Sequence, residues 1–382
     1  MTRSRVEATF GVLCFTSVVL FLAIRRRKTN RLRRFCRRLP KVELHAHLSG
    51  SIRPTTLLAL SARHFGPDGE ARARQTLGLS TGTTRETRAL GECFAIFDLI
   101  HDAVRTREDL TLITKEVVTD FEDDNVKYLE LRTTPRDLPD GTTRHEYVAN
   151  VVSILEEVNN SSRQISCRLL LSIDRATADD AVAHSTVALA HEFTPIVVGI
   201  DLSGNPTKGT FSSFLPALEA ARESGLSVTL HCAEVANDDE VTQMINFQPD
   251  RLGHALTLNS EHRKHLLSMA RPIPIEICPT SNIKTLQLSS LSLHPTARLW
   301  INYNYPFCIN TDDSGVFATN SSTELFLFAN AMGINEHKLT LISRAAAHFS
   351  FLPKGEKDQL VRKLSGECGF LLWLTWASFG AI

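Results

Sequence analysis

The chain has 382 residues, 43% of them apolar, with 42 basic and 42 acidic side chains, enough for one large core or at most two domains. The charge is unevenly spread: residues 1–41 hold 12 of the bases and one acid, Glu7, which leaves 30 bases against 41 acids, a net of −11, in the remainder. An acidic body excludes a nucleic-acid-coating surface, so no nucleic-acid partner is expected and any phosphate recognition is local.

In chain order, the first feature is the uncharged apolar run from Phe10 to Ile24, followed by Arg25, Arg26, Arg27, Lys28, Arg31, Arg33, Arg34, Arg37, Arg38 and Lys41. Its length falls short of the roughly 20 residues that span a bilayer, yet it lacks a small-residue cleavage site and its flank is basic. Two readings stay open for residues 1–38: an uncleaved membrane anchor through 10–24 that keeps the rest cytoplasmic, and a disordered leader. Eight cysteines occur without a CxxC pair, and Cys232, Cys278 and Cys308 fall inside apolar runs. They read as reduced core thiols of a cytosolic protein and exclude cysteine-based zinc ligation.

Short aliphatic or β-branched runs come next, at 42–47, 127–132, 166–173, 196–202, 227–232, 250–253, 273–278 and 306–311. Helix-compatible stretches such as Phe214 to Ser224 and Ser260 to Met269 separate most of them, the alternation of a parallel sheet with crossover helices. The expected architecture is a (β/α)8 barrel over 39–353 with a helical insertion after the first strand, where the interval of about 80 residues exceeds the roughly 30 of one βα unit. Residues 354–382 are read as a separate tail.

Polar residues end these runs: His45 and His47, Thr133, Asp174, Gly204, His231, His254 and Asp312. Barrel enzymes build their sites at this rim. Residues two apart on a strand share a face, so His45 and His47 can reach one cation. His231 adds a third imidazole and Asp312 a carboxylate, a set that suits zinc with one open position, although iron and cobalt fit the spacing too. Glu234, three residues beyond His231, can move a proton between water and a ring nitrogen, or can simply be a first-turn helix acid. His254 can orient the attacking water.

The segments His45-Ala46-His47-Leu48, His231-Cys232-Ala233-Glu234, Arg251-Leu252-Gly253-His254 and Thr311-Asp312-Asp313 together resemble the adenosine and AMP deaminase superfamily. Leu131 to Arg136, Asp201 to Pro206, and Pro279 to Asn282 with Gly315-Val316-Phe317 are similar to its adenosine deaminase-like branch. The resemblance implies hydrolysis of N6-methyl-AMP and related N6-alkylated nucleotides to IMP and an amine, with one zinc ion per chain. It implies His45, His47, His231 and Asp312 as metal ligands, Glu234 as proton donor and His254 as water activator. Substrate contacts transfer to His47, His101, Thr133, Thr134, Pro135, Arg136, Asp174, Gly204 and Asp313, and Arg136 is expected to hold the 5′-phosphate. Three departures stand out: Ser49 where the branch has Asn, the basic leader, and the apolar tail Gly369 to Ile382.

Other readings remain in view. Adenosine deaminase, giving inosine and ammonia, is the runner-up within the enzyme class. A barrel metallohydrolase acting on a cyclic amide or phosphotriester would need a second metal and a bridging carboxylated lysine, which no strand end offers. A non-catalytic, membrane-anchored nucleotide-binding module is opposed by the complete ligand set. The protein is expected to be monomeric.

Overall fold

A computed structural model describes residues 26–79 and 90–377; the expected anchor at 10–24 lies outside the described residues. Eight strands, β1 (Lys41–His47), β2 (Val126–Thr133), β3 (Ser166–Asp174), β4 (Val197–Ser203), β5 (Ser227–Cys232), β6 (Arg251–His254), β7 (Ile275–Ile277) and β8 (Phe307–Ile309), form one sheet in sequence order. Every adjacent pair is parallel. The barrel closes just beyond β8, where the Asp312 N–H donates to the His45 carbonyl at 2.8 Å and the His47 N–H donates to the Asp312 carbonyl at 3.0 Å. The carboxylate expected to bind metal therefore sits on the closing seam.

Helices cover the outside, and several begin with the caps their sequences specify. Thr143 and Glu146 form a capping box on the helix Arg144–Asn159, Asn259 and His262 form one on Ser260–Ser268, and the Asp179 side chain caps Asp180–Glu192, each supplying partners for otherwise orphaned N–H groups. The insertion between β1 and β2 is helical as expected, with Pro54–Thr76, Leu90–Ala103 and Arg107–Asp123. The tail behaves differently from a separate segment. From Lys354 it continues as the helix Lys354–Ala377, with Leu360, Leu364, Cys368 and Leu371 buried against the barrel body.

The apolar core lies between strands and helices, while the barrel interior is charged. Glu43, Glu130, Arg132, Asp201, Arg251 and Glu276 are all fully buried. The last five face inward, because their contacts cross the barrel: Arg132 meets Asp201 and Glu276 at 3.1 Å each, and Arg251 meets Glu130 at 2.7 Å and Glu276 at 2.5 Å. Glu43 instead accepts from the Thr311 N–H at 3.1 Å and the Ser321 hydroxyl at 2.8 Å. Charges this deep are tolerable only when paired and hydrogen-bonded. In β1 the register shifts between Glu43 and Ala46, and beyond this irregularity His45 and His47, two apart, both project toward the C-terminal mouth.

Candidate active site

The imidazoles of His45, His47, His231 and His254 converge at the mouth. Ring centroids of His45 lie 4.7 Å from His231 and 4.8 Å from His254, and those of His47 and His231 are 5.1 Å apart. Nε2 of His47 is 3.1 Å from Nε2 of His231, and Asp312 Oδ1 is 3.3 Å from His45 Nε2 and 3.4 Å from His47 Nε2. Donor atoms of His45, His231, His254 and Asp312 all lie within 4.8 Å of one another.

This donor set fits a divalent metal. His45 Nδ1 contacts Glu276 at 2.6 Å and His231 Nδ1 contacts Asp201 at 3.0 Å, so a carboxylate behind each ring fixes its tautomer and turns Nε2 toward the common centre. Nε2 of His45 is buried and, among the described residues, has no hydrogen-bond partner, as expected of an atom shaped to hold an ion. Asp312 at φ 64°, and His254 and Ala255 at φ 60° and 51°, occupy the left-handed region. Such strain at three non-glycine residues around one centre is what functional sites store.

Next to this centre, Glu234 Oε1 lies 3.6 Å from His254 Nε2. Burial raises the Glu234 carboxyl above its ordinary range, opposed by the neighbouring His231 and reinforced by the charge of Asp312. Burial holds His254 well below the usual imidazole value, and its Nδ1 meets the Asn282 side-chain amide at 3.0 Å. The Asn282 carbonyl oxygen in turn meets His294 Nε2 at 3.1 Å. With the amide oriented this way, His254 carries its hydrogen on Nε2, facing the site.

A cavity of about 410 Å³ opens above these groups, and His47, His101, Thr134, Asp174, Gly204, His231, Glu234, His254, Asp312 and Asp313 line it. Two glycines permit this close packing. A Cβ on Gly50 would lie 1.7 Å from Asp313 Oδ1, and Gly204, at φ 92°, would place one 2.0 Å from Asp174 Oδ1. Burial and the adjacent Asp312 push the Asp313 carboxyl well above its normal range, which favours its protonated form.

Not every expected contact reaches the cavity. Thr133 is buried with its hydroxyl 2.7 Å from the Tyr147 hydroxyl, and Pro135 is buried behind Thr134. Arg136 Nη2 donates to the carbonyls of His101 at 3.2 Å and Val104 at 2.7 Å. None of these three lines the cavity, whereas Ser49, Phe97, Asp98, Thr177, Ser281 and Phe317 do. Sequence reasoning missed Asp201 and Glu276, the carboxylates behind the imidazoles. Their signal is a lone acid inside an otherwise apolar, doubly buried strand, which always demands a partner.

A buried imidazole–carboxylate centre at the C-terminal mouth of a (β/α)8 barrel defines a metal-dependent hydrolase. The profile of the family described as adenosine deaminase matches residues 40–366, and the chain belongs to that family. It is 39% identical over 336 residues to N6-Methyl-AMP deaminase-L of Xenopus laevis, covering 86% of this chain and 94% of that protein. It is 41% identical over 345 residues to the N6-mAMP deaminase of Arabidopsis thaliana, covering 84% and 95%. A solved structure described as the ADAL–IMP complex superposes with a TM-score of 0.81 at 39% identity, covering 88% of this chain and 99% of that one. The chain is thus a deaminase, a metal-binding hydrolase of purine metabolism.

Proposed function

We propose that the protein uses one zinc ion to hydrolyse N6-methyl-AMP and related N6-substituted purine nucleotides to IMP and an amine. Three imidazoles with one carboxylate suit zinc, with His45, His47, His231 and Asp312 as its ligands. When bound, such an ion lowers the pKa of water from about 15.7 toward about 7. The observation that carries the reading is the buried Glu234 carboxyl, 3.6 Å from His254 Nε2 beside the imidazole cluster, with its pKa raised by burial.

In this assignment Glu234 donates its proton to purine N1, which makes C6 electrophilic. The His254 Nε2–H aims the attacking water at C6, and the Asp312 carboxylate accepts the proton that the water loses. Water adds at C6, the proton taken up by Asp312 passes to N6, the C6–N6 bond breaks to release the amine, and the C6 hydroxyl returns its proton to Glu234, leaving a C6 carbonyl with N1–H. The Asp313 carboxyl and the Gly204 backbone hold the ring edge, restricting the substrate to a reactive pose. Asp174, bonded to the Ala176 N–H and the Thr177 hydroxyl at 2.9 Å each, packs against Gly204 and lines the same cavity. His101 and Thr134 face the 5′ side, with Thr133, Pro135 and Arg136 in the segment behind them. The names of the relatives support the nucleotide, as does the IMP in the description of a similar structure.

One observation favours adenosine as the alternative substrate: among the described residues lining the cavity there is no Lys or Arg. Turnover of N6-methyl-AMP, AMP and adenosine by the purified full chain, with zinc content measured, separates the two. Preference for N6-methyl-AMP is expected, and preference for adenosine replaces the reading. The run 10–24 and its basic flank are proposed to hold the protein at a membrane with the barrel cytoplasmic. Among the described residues no helix is long and apolar enough to cross a membrane. Fusing residues 1–41 to a soluble reporter tests the anchor, and recovery wholly in the soluble fraction refutes it.

A further inference from the structure

The purine cavity has one wall that is not made by the barrel. The helix Leu90–Ala103, inserted between β1 and β2, presents Phe97, Asp98 and His101 to it. These positions share one helical face, since residues three and four apart lie one above the other. The opposite side of the helix is anchored through Ile96, Leu99 and Ile100, all buried. Its last carbonyls, like those of any helix end, lack intrahelical partners.

Arg136 supplies those partners. Its Nη2 donates to the His101 carbonyl, inside the last turn, and to the Val104 carbonyl just past it, at 3.2 and 2.7 Å. A guanidinium at a helix C-terminus also opposes the negative end of the helix dipole. The same loop holds the next segment, for the Asp140 carboxylate accepts from the Arg107 N–H at 2.8 Å and the Asp140 N–H donates to the Arg105 carbonyl at 3.3 Å. The division of labour is clear: Asp140 ties down the chain at Arg105 and Arg107, beyond the helix end, and Arg136 grips the helix itself, at the residue whose imidazole faces the cavity. The guanidinium is also close enough to help lower the His101 imidazole, behind the larger effect of burial.

We propose that Arg136 is a positioning residue that latches the helix Leu90–Ala103 against the cavity, setting purine affinity through Phe97 and His101 instead of by contact with a phosphate. The inference rests on the reading of this cavity as the purine site. A latch acts on every purine that uses the wall, whereas a phosphate ligand acts only on nucleotides. The two roles therefore predict different selectivity.

The test compares full-length, metal-loaded Arg136→Ala and Arg136→Lys with the unsubstituted protein. Amide hydrogen exchange across 95–104 reports the latch without any substrate, and exchange across 144–159 serves as the internal control. In Arg136→Ala, exchange over 95–104 is expected to quicken at least tenfold while the control segment and the metal content stay unchanged. KM is expected to rise by a similar factor, about 3- to 30-fold, for N6-methyl-AMP and for N6-methyladenosine, with kcat within about threefold. Arg136→Lys restores part of both effects, since an ammonium can donate to the same carbonyls without the rigid fork. Unchanged exchange over 95–104 overturns the proposal, and so does a loss confined to the nucleotide. If the unsubstituted protein turns over neither purine, the functional reading fails, and the exchange measurement still decides whether Arg136 holds the helix.

Discussion

The two sides of the cavity are built on different principles. On the metal side, three imidazoles project from strands and each has a partner behind it: Glu276 behind His45, Asp201 behind His231, Asn282 behind His254. On the purine side, the wall is a helix from an insertion, joined to the barrel through the loop after β2, with Arg136 and Asp140 as ties. Rigid strands fix reacting atoms, and inserted elements adjust what is admitted. Chemistry and selectivity thus sit on parts of the fold that can be broken separately.

The sharpest break on the metal side is Glu234→Gln. The amide keeps the shape and cannot deliver a proton, so kcat is expected to fall by about 10²- to 10⁴-fold while metal content and product binding persist. Near-normal turnover removes Glu234 from its role. The pH profile gives the same test without mutation. The carboxyl must be protonated to act and its pKa is raised, so activity is present below that pKa and is lost as pH climbs through it. A rate that keeps rising with pH to the alkaline limit contradicts the assignment. His231→Ala acts earlier, and its expected outcome is a protein depleted in zinc by elemental analysis.

The next effect in size belongs to the partners behind the rings. Removing the carboxylate with Asp201→Asn frees His231 to rotate and to change tautomer, and the expected cost is about 10- to 100-fold in metal affinity, read by competition with a chelator. Unaltered affinity shows that the ring is held by packing alone. Arg132 also relies on Asp201, so thermal stability is measured alongside to separate loss of fold from loss of metal.

The same division explains which features were legible in the sequence. All eight strands lie within two residues of the expected spans, because parallel strands buried on both faces stand out as apolar runs. His45 and His47 were legible through the two-residue strand period, and His231 and Asp312 through their places at strand ends. The wall was not legible in this way. Phe97 and Asp98 sit mid-helix with no local signature, and Thr133 and Thr134 are adjacent residues of which one turns toward Tyr147 and the other toward the cavity. A strand's last residue and the first residue of its loop look alike in sequence, and only the tertiary neighbour separates them.

That pair supplies the smallest and most local test of the comparison. Thr133 is buried, and its hydroxyl shares a hydrogen bond with the Tyr147 hydroxyl at 2.7 Å. Thr133→Val keeps the shape, removes the hydroxyl and leaves the buried Tyr147 hydroxyl without this partner, a loss of about 1–3 kcal/mol in stability. KM for the purine is expected to change by less than about twofold, since the valine methyls occupy the space of the threonine. Thr134 is exposed to the cavity, and Thr134→Val is expected to do the reverse, moving KM by about 2- to 10-fold through one neutral hydrogen bond with little change in stability. Chemical denaturation and steady-state kinetics on both variants give four numbers, and the expected pattern is a crossed one. If Thr133→Val instead raises KM at constant stability, its hydroxyl turns to the substrate on binding, and the boundary between barrel and wall moves one residue into β2.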